Sequence, residues 1–165
     1  MAECNNFSDE IQKCIVDSAS QFFDGSLQVK DSQASCIKSI IYGKNTMGVL
    51  PTGFGKTLIY QLLPHVGLKL KSTGYEFPTD PIILVVSPLT ALIQEQVERC
   101  ERFGTATQLT EEKMSQDVKN GKIRYLFSSP EMFTSDLCRE LFSSKVYREN
   151  VVTIVVDEAH TVVKW

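Results

Sequence analysis

Two β-branched, apolar runs constrain this chain more than anything else in it: Ile82-Ile83-Leu84-Val85-Val86 and Val151-Val152-Thr153-Ile154-Val155-Val156. A strand with one wet face alternates apolar and polar residues. A run without alternation belongs to a strand covered on both faces. Three more strands are expected, at Met47 to Leu50, Thr105 to Leu109 and Ile123 to Ser128. The segments between them carry helical spacing, and strands alternating with helices give an α/β fold with a parallel sheet between helical layers.

The helices are marked by their spacing and stops. Ser8 is a candidate cap for a helix with Ile11, Cys14, Ile15, Ala19, Phe22 and Phe23 on one side, ended by Asp24-Gly25-Ser26. A second runs from about Ser32 to Tyr42, with Ala34, Ile37, Ile40 and Ile41 inward and Gly43 as its stop. A third, toward Leu70, contains Pro64, which should bend or end its first part. Lys71 to Pro81 reads as a surface loop, and Leu89 to Phe103 as a helix stopped by Gly104. Thr110 is expected to cap a polar helix ending near Asn120-Gly121; Ser129-Pro130-Glu131 reads as a turn, and Leu137, Leu141 and Phe142 mark a short helix.

Between the first expected strand and the third helix lies Leu50-Pro51-Thr52-Gly53-Phe54-Gly55-Lys56-Thr57. Two glycines let the backbone curl so that several N–H groups converge at a helix N-terminus, an anion site. Lys56 adds a full charge, and Thr57 a hydroxyl able to reach a Mg²⁺ ion held by phosphate oxygens. The strict phosphate-loop pattern asks for Gly where Leu50 stands; the Gly53-x-Gly55-Lys56-Thr57 core is intact. At the end of the last strand stands Asp157-Glu158-Ala159-His160. Ligands of parallel sheets bind beyond the carboxyl ends of the strands, which the loop and this acidic pair would share. Asp157 would hold the metal through its water shell, and Glu158 would accept a proton from the water attacking the terminal phosphate. The plain alternative is a solvated strand end.

Bulk properties narrow the classes. The chain has 165 residues, a hydrophobic fraction of 42% and a net charge of −3, so a nucleic-acid contact must come from a local site rather than overall charge. No apolar run reaches membrane-spanning length, and the first residues lack the basic head and apolar block of a secretory signal. Five cysteines without a C-x-x-C pair and two separated histidines argue against a disulfide framework or a protein-only metal site.

Four segments together resemble superfamily 2 helicases, and among them the RecQ family. Leu50 to Thr57 with Tyr60-Gln61-Leu62-Leu63-Pro64 resembles motif I and its extension. Val86-Ser87-Pro88-Leu89-Thr90-Ala91-Leu92-Ile93-Gln94-Glu95-Gln96-Val97 is similar to motif Ia. Ser128-Ser129-Pro130-Glu131 resembles motif Ib, and Val155-Val156-Asp157-Glu158-Ala159-His160 the DEAH box. Upstream, Lys30-Asp31-Ser32-Gln33 falls at the adenine-reading motif 0, with Lys30 in place of the usual Arg and Asp31 of the usual Pro. Trp165 falls where the family's aromatic-rich loop begins.

The resemblance implies a three-layer RecA-like P-loop domain with a mostly parallel sheet, incomplete at its C-terminus, over residues 30–165, preceded by a helical extension over residues 1–29. It implies ATP and Mg²⁺ as cofactors, with Lys30, Gln33, Pro51, Thr52, Gly53, Phe54, Gly55, Lys56 and Thr57 on the nucleotide. Lys56, Asp157, Glu158 and His160 would be catalytic, and Thr57 and Asp157 on the metal side. Pro88, Leu89, Thr90, Ser129, Pro130 and Trp165 would face DNA, single-stranded or forked. The resemblance implies an intracellular place of action, in the nucleus, and a part in DNA repair and recombination. Motif III and the second RecA-like domain with its arginine finger are not in these residues, so the chain alone is expected to hydrolyse ATP feebly and not to unwind DNA. The missing motif III strand would lie between those of motifs I and II, leaving a gap or direct pairing of Met47–Leu50 with Val152–Val156. A non-catalytic nucleotide- or nucleic-acid-binding fragment and part of a DEAH-box RNA helicase stay open as alternatives.

Overall fold

The structure, a computed structural model, describes residues 2–24, 27–51 and 53–159, with side chains from Phe7 onward. It divides into two compact units, Met1–Phe77 and Pro78–Trp165. In the second unit, four strands, β1 (Ile82–Val86), β2 (Ala106–Gln108), β3 (Tyr125–Ser128) and β4 (Val151–Val156), form a parallel sheet ordered β2-β3-β1-β4. β1 is buried at all of its positions because it has a neighbour on each side and helices on each face. Leu84 and Leu126, paired in register, meet Val118, Cys138, Leu141 and Tyr147 in one buried cluster. Those four come from Gln116–Lys119 (α5), Asp136–Ser143 (α7) and Lys145–Asn150 (α8). Tyr125 and Phe127, one residue out of step, point to the other face, where α4 (Thr90–Glu101) packs on β2 and β3.

β4 departs from the expectation of a strand covered on both faces. Among the described residues it pairs only with β1, and Ile154 and Val156 are 53% and 45% exposed. The helical layer that covers Leu84 takes in only Val151 of β4, at its start.

The first unit is helical. α1 (Ala2–Phe23) packs on α2 (Asp31–Ile41) and on α3 (Lys56–Lys71). Its buried residues Ile11, Cys14, Ile15, Ser18 and Ala19 recur at helical spacing. Ser8 lies inside α1 rather than capping it, and the expected stop at Gly25-Ser26 lies outside the described residues. α3 runs through Pro64 without interruption. Proline there removes one helical hydrogen bond, a loss offset by burying Leu62, Leu63 and Val66.

The strand expected at Met47 to Leu50 is absent; Met47 and Val49 are 86% and 87% exposed. Four residues with an internal Gly48 have little strand propensity of their own, and no described strand pairs with them, so of the two alternatives, a gap or direct pairing with β4, the pairing is not made. Smaller corrections come from local capping. Ser115, not Thr110, caps α5, because its hydroxyl accepts from Val118 N; Thr110 closes only a turn onto Lys113 N. The expected turn at Ser129-Pro130-Glu131 is the start of α6 (Pro130–Phe133). Spacing did not reveal α8, which Ser144 caps.

Candidate functional site

In the first unit the phosphate-loop sequence forms a tight curl into α3. Gly53 and Gly55 have φ of 75° and 81°, a region closed to most side chains. Phe54 N–H donates to the Pro51 carbonyl, and Gly55 is the residue from which α3 starts. Lys56 and Thr57, both half-buried, occupy the first turn of that helix, where N–H groups lack intrahelical acceptors.

The first turn of α2 and the residue before it clasp this curl. The Gln33 side chain, 3% exposed, donates through Nε2 to the carbonyls of Phe54 (3.0 Å) and Gly55 (2.9 Å). Its Oε1 accepts from Lys30 N at 2.9 Å, so the same amide caps α2. Lys30 Nζ lies 3.5 Å from the centroid of the Phe54 ring and 3.5 Å from the Phe54 carbonyl oxygen. Lys30 and Gln33 therefore both meet the loop, by contacts the sequence did not disclose. Both Nε2 hydrogens are in use, so reading an adenine would require Gln33 to release a loop carbonyl.

In the second unit the carboxyl ends of three neighbouring strands make one rim. Val86 and Ser128 are register partners, as are Val86 and Val156. Pro88, Leu89 and Thr90 thus follow the middle strand, Ser129 and Pro130 one neighbour, and Asp157 and Glu158 the other. Asp157 N–H extends the ladder to the Val86 carbonyl at 2.9 Å. Its Oδ1 accepts from Glu158 N at 3.0 Å and its Oδ2 from Gln96 Nε2 at 2.9 Å. Glu158 has φ of 51°, an uncommon conformation for a residue with a Cβ and one that recurs at functional sites.

The rest of the rim is suited to anions. α4 has Leu89 before it and no side-chain cap, so its first-turn N–H groups have no side-chain acceptor. Ser129 Oγ accepts from Met132 N and keeps its hydroxyl proton. That hydroxyl and the backbone at the start of α6 hold the Glu131 carboxyl below the usual carboxylate range, the backbone contributing more. Ser87 is buried, and its Oγ has no hydrogen-bond partner.

Thr52, His160 and Trp165 lie outside the described residues. Sequence reasoning missed Gln96. The signal was its spacing: Ile93, Val97 and Cys100 are the buried stripe of α4, and position 96 falls within that stripe.

Each unit can be weighed by itself: in the first, the glycine curl opens a helix N-terminus carrying Lys56 and Thr57, a donor set that suits the phosphates of a nucleotide; in the second, Asp157 is held at a strand end, a carboxylate that suits a hydrated metal ion. Among the described residues no three His, Cys, Asp or Glu side chains cluster as a metal cage, so an ion here would draw on phosphate and water. No helix among the described residues is long and apolar enough to cross a membrane.

Comparison with known proteins agrees with this geometry. Residues 30–165 match the family model for the DEAD/DEAH box helicase. The probable ATP-dependent DNA helicase RecS of Bacillus subtilis is 34% identical over 152 residues, which is 88% of this chain and 27% of RecS. The ATP-dependent helicase wrn-1 of Caenorhabditis elegans is 29% identical over 87% of this chain and 13% of its own length. For the ATP-dependent helicase SGS1 of Saccharomyces cerevisiae the figures are 32%, 82% and 10%. The chain thus spans at most 27% of these curated relatives.

Proposed function

This chain belongs to the DEAD/DEAH box helicase family, and on that premise we propose that it is the ATP-binding part of a RecQ-like DNA helicase. The observation that carries the reading is the pair of left-handed glycines, Gly53 and Gly55, opening α3 directly ahead of Lys56 and Thr57. In this reading Pro51, Thr52, Gly53, Phe54 and Gly55 wrap the phosphates, and Lys56 neutralises charge on the terminal ones. Thr57 and Asp157 would be the residues on the Mg²⁺ side, and the ion would spread the charge of the phosphate oxygens. Glu158 takes the proton of the attacking water, with His160 beside it in the motif. Gln33 reads the adenine edge by exchanging a loop carbonyl for the base, so base binding and loop shape are linked.

The DNA side of the proposal rests on the rim. Leu89 and Thr90 at the uncapped start of α4, with Ser129 ahead of α6, offer N–H and hydroxyl donors to a phosphate backbone, and Pro88 and Pro130, which carry no N–H, would meet it by shape; Trp165 would add an aromatic contact. Among the described residues no basic cluster accompanies them, so affinity would be modest and only weakly salt-dependent. Strand separation is carried over from the helicases named above; 3′ to 5′ polarity, a part in repair or recombination and a nuclear place of action belong to the same proposal and rest on the RecQ resemblance. Because the matched stretch is 27% of RecS, it is assigned the nucleotide-binding work, not unwinding by itself.

The test is nucleotide binding by the wild type and Lys56→Ala, followed with a fluorescent ATP analogue in Mg²⁺. We expect a loss of roughly 10-fold or more, the worth of a charge-assisted contact. Equal affinities would remove the phosphate-loop assignment.

A further inference from the structure

We propose that Gln96 is a positioning residue for the metal-side carboxylate: through α4 it fixes the Asp157 side chain in the orientation that receives Mg²⁺. The inference rests on the nucleotide reading above and adds to it a residue that the spacing of charged motifs did not single out.

Three observations converge. The first is placement: Gln96 lies three residues after Ile93 and four before Cys100, both fully buried, where an apolar residue would ordinarily fill the stripe. The second is the bond: Gln96 Nε2 meets Asp157 Oδ2 at 2.9 Å across 61 residues of sequence. The third is its cost. Gln96 Oε1 is buried without a hydrogen-bond partner, and turning the amide over to seek one would set that oxygen against the carboxylate. The amide is thus held by Asp157, at the expense of an unsatisfied acceptor, a pattern that calls for a functional reason.

The consequence is a fixed carboxylate. Glu158 N restrains Oδ1 and Gln96 restrains Oδ2. With each oxygen tied by one neutral donor, the plane of the carboxylate is set, and among the described residues no further hydrogen bond competes for its remaining lone pairs, which could accept from a metal-bound water. Groups that orient a ligating carboxylate in this way typically govern metal affinity on the order of 10- to 100-fold.

The arrangement also joins the start and the middle of one helix. Thr90 is the first residue of α4 and Gln96 lies about 9 Å farther along its axis. The segment proposed to meet DNA phosphate and the side chain that orients Asp157 are thus parts of the same rigid element.

The experiment uses the full chain and a fluescent-labelled ADP with and without Mg²⁺, comparing wild type, Gln96→Met and Gln96→Ala. Methionine keeps the volume and removes the donor. We expect Gln96→Met to leave metal-free affinity within about 2-fold and to reduce the Mg²⁺-dependent gain by about 10-fold or more. Gln96→Ala should show the same selective loss. In an amide NMR spectrum the Glu158 N–H, which reports on Oδ1, should shift in both variants. An unchanged Mg²⁺ gain in Gln96→Met overturns the proposal. So does an equal loss with and without metal, the mark of a purely structural role. Lys56→Ala run in parallel separates the two readings: if it binds as the wild type does, the nucleotide site itself is wrong, whereas normal loss there with an intact metal gain in Gln96→Met defeats only the role of Gln96.

Discussion

Gly55→Ala probes the loop and its clasp together. Gly55 has φ of 81°, and holding an L-residue in the left-handed region costs about 1–2 kcal/mol. A Cβ built there would stand 2.8 Å from Gln33 Nε2. That atom ends a flexible side chain, yet Gln33 is only 3% exposed and is tied by three hydrogen bonds. Pushing it aside forfeits its bonds to the Phe54 and Gly55 carbonyls, about 0.5–1.5 kcal/mol each. The variant should therefore lose about 2–5 kcal/mol, the sum of the strain and the two bonds. Gln33→Ala alone forfeits the same two bonds and the cap on Lys30 N. In the double variant the clash has gone and only backbone strain is added. The two losses should thus overlap by about 1–3 kcal/mol, well beyond the scatter of independent sites. Urea unfolding of the four proteins measures this, with nucleotide affinity as a second readout. Losses that simply add within about 0.5 kcal/mol would refute the idea that Gln33 and Gly55 form one unit.

Other consequences are checked more simply. Gly67→Ala places a Cβ 2.1 Å from the Phe77 ring, so the ring must leave α3; melting should fall by an amount equivalent to about 1–3 kcal/mol, and an unchanged melting temperature would contradict the packing. Lys30→Ala removes an exposed cation from the Phe54 face, worth about 0.5–1 kcal/mol; urea unfolding should show a loss of that size, with Lys30→Arg retaining stability. Burial raises the phenols of Tyr125 and Tyr147 above their ordinary range. The unfolded chain then releases those protons first, so this stability is complete below a pH of about 10 and is lost as pH rises above it. Alkaline unfolding followed by circular dichroism should therefore shift to higher pH in Tyr147→Phe, although at neutral pH that variant loses about 0.5–1.5 kcal/mol with the Tyr147 bond to the Val118 carbonyl.

What could be read from the sequence was what the backbone decides locally. The unalternating run from Ile82 to Val86 foretold a strand walled on both faces because its pattern admits little else. Gly53 and Gly55 foretold a curl because few other residues accept φ near 80°. Met47 to Leu50 failed by the same logic: apolar residues make a strand only with a partner, and pairing is not written in the run itself. β4 was misjudged on one face because edge or centre is a property of sheet order, which no single strand encodes.

The site residues divide along that line. Asp157 and Glu158 were legible by their position after an apolar strand, whereas the hydrogen bonds that hold Gln33 and Gln96 are made 21 and 61 residues away. Glutamine is ambiguous in a sequence because its neutral amide suits a wet helix face as well as a buried clasp. Only burial separates the two, and a buried amide is costly unless its donors are met. The place to look is therefore the apolar stripe of a helix: a glutamine standing there at helical spacing, as Gln33 does one residue before Ala34 and Gln96 one before Val97, needs a partner from another element. In this chain those partners are the loop proposed to hold the phosphates and the carboxylate proposed to hold their metal.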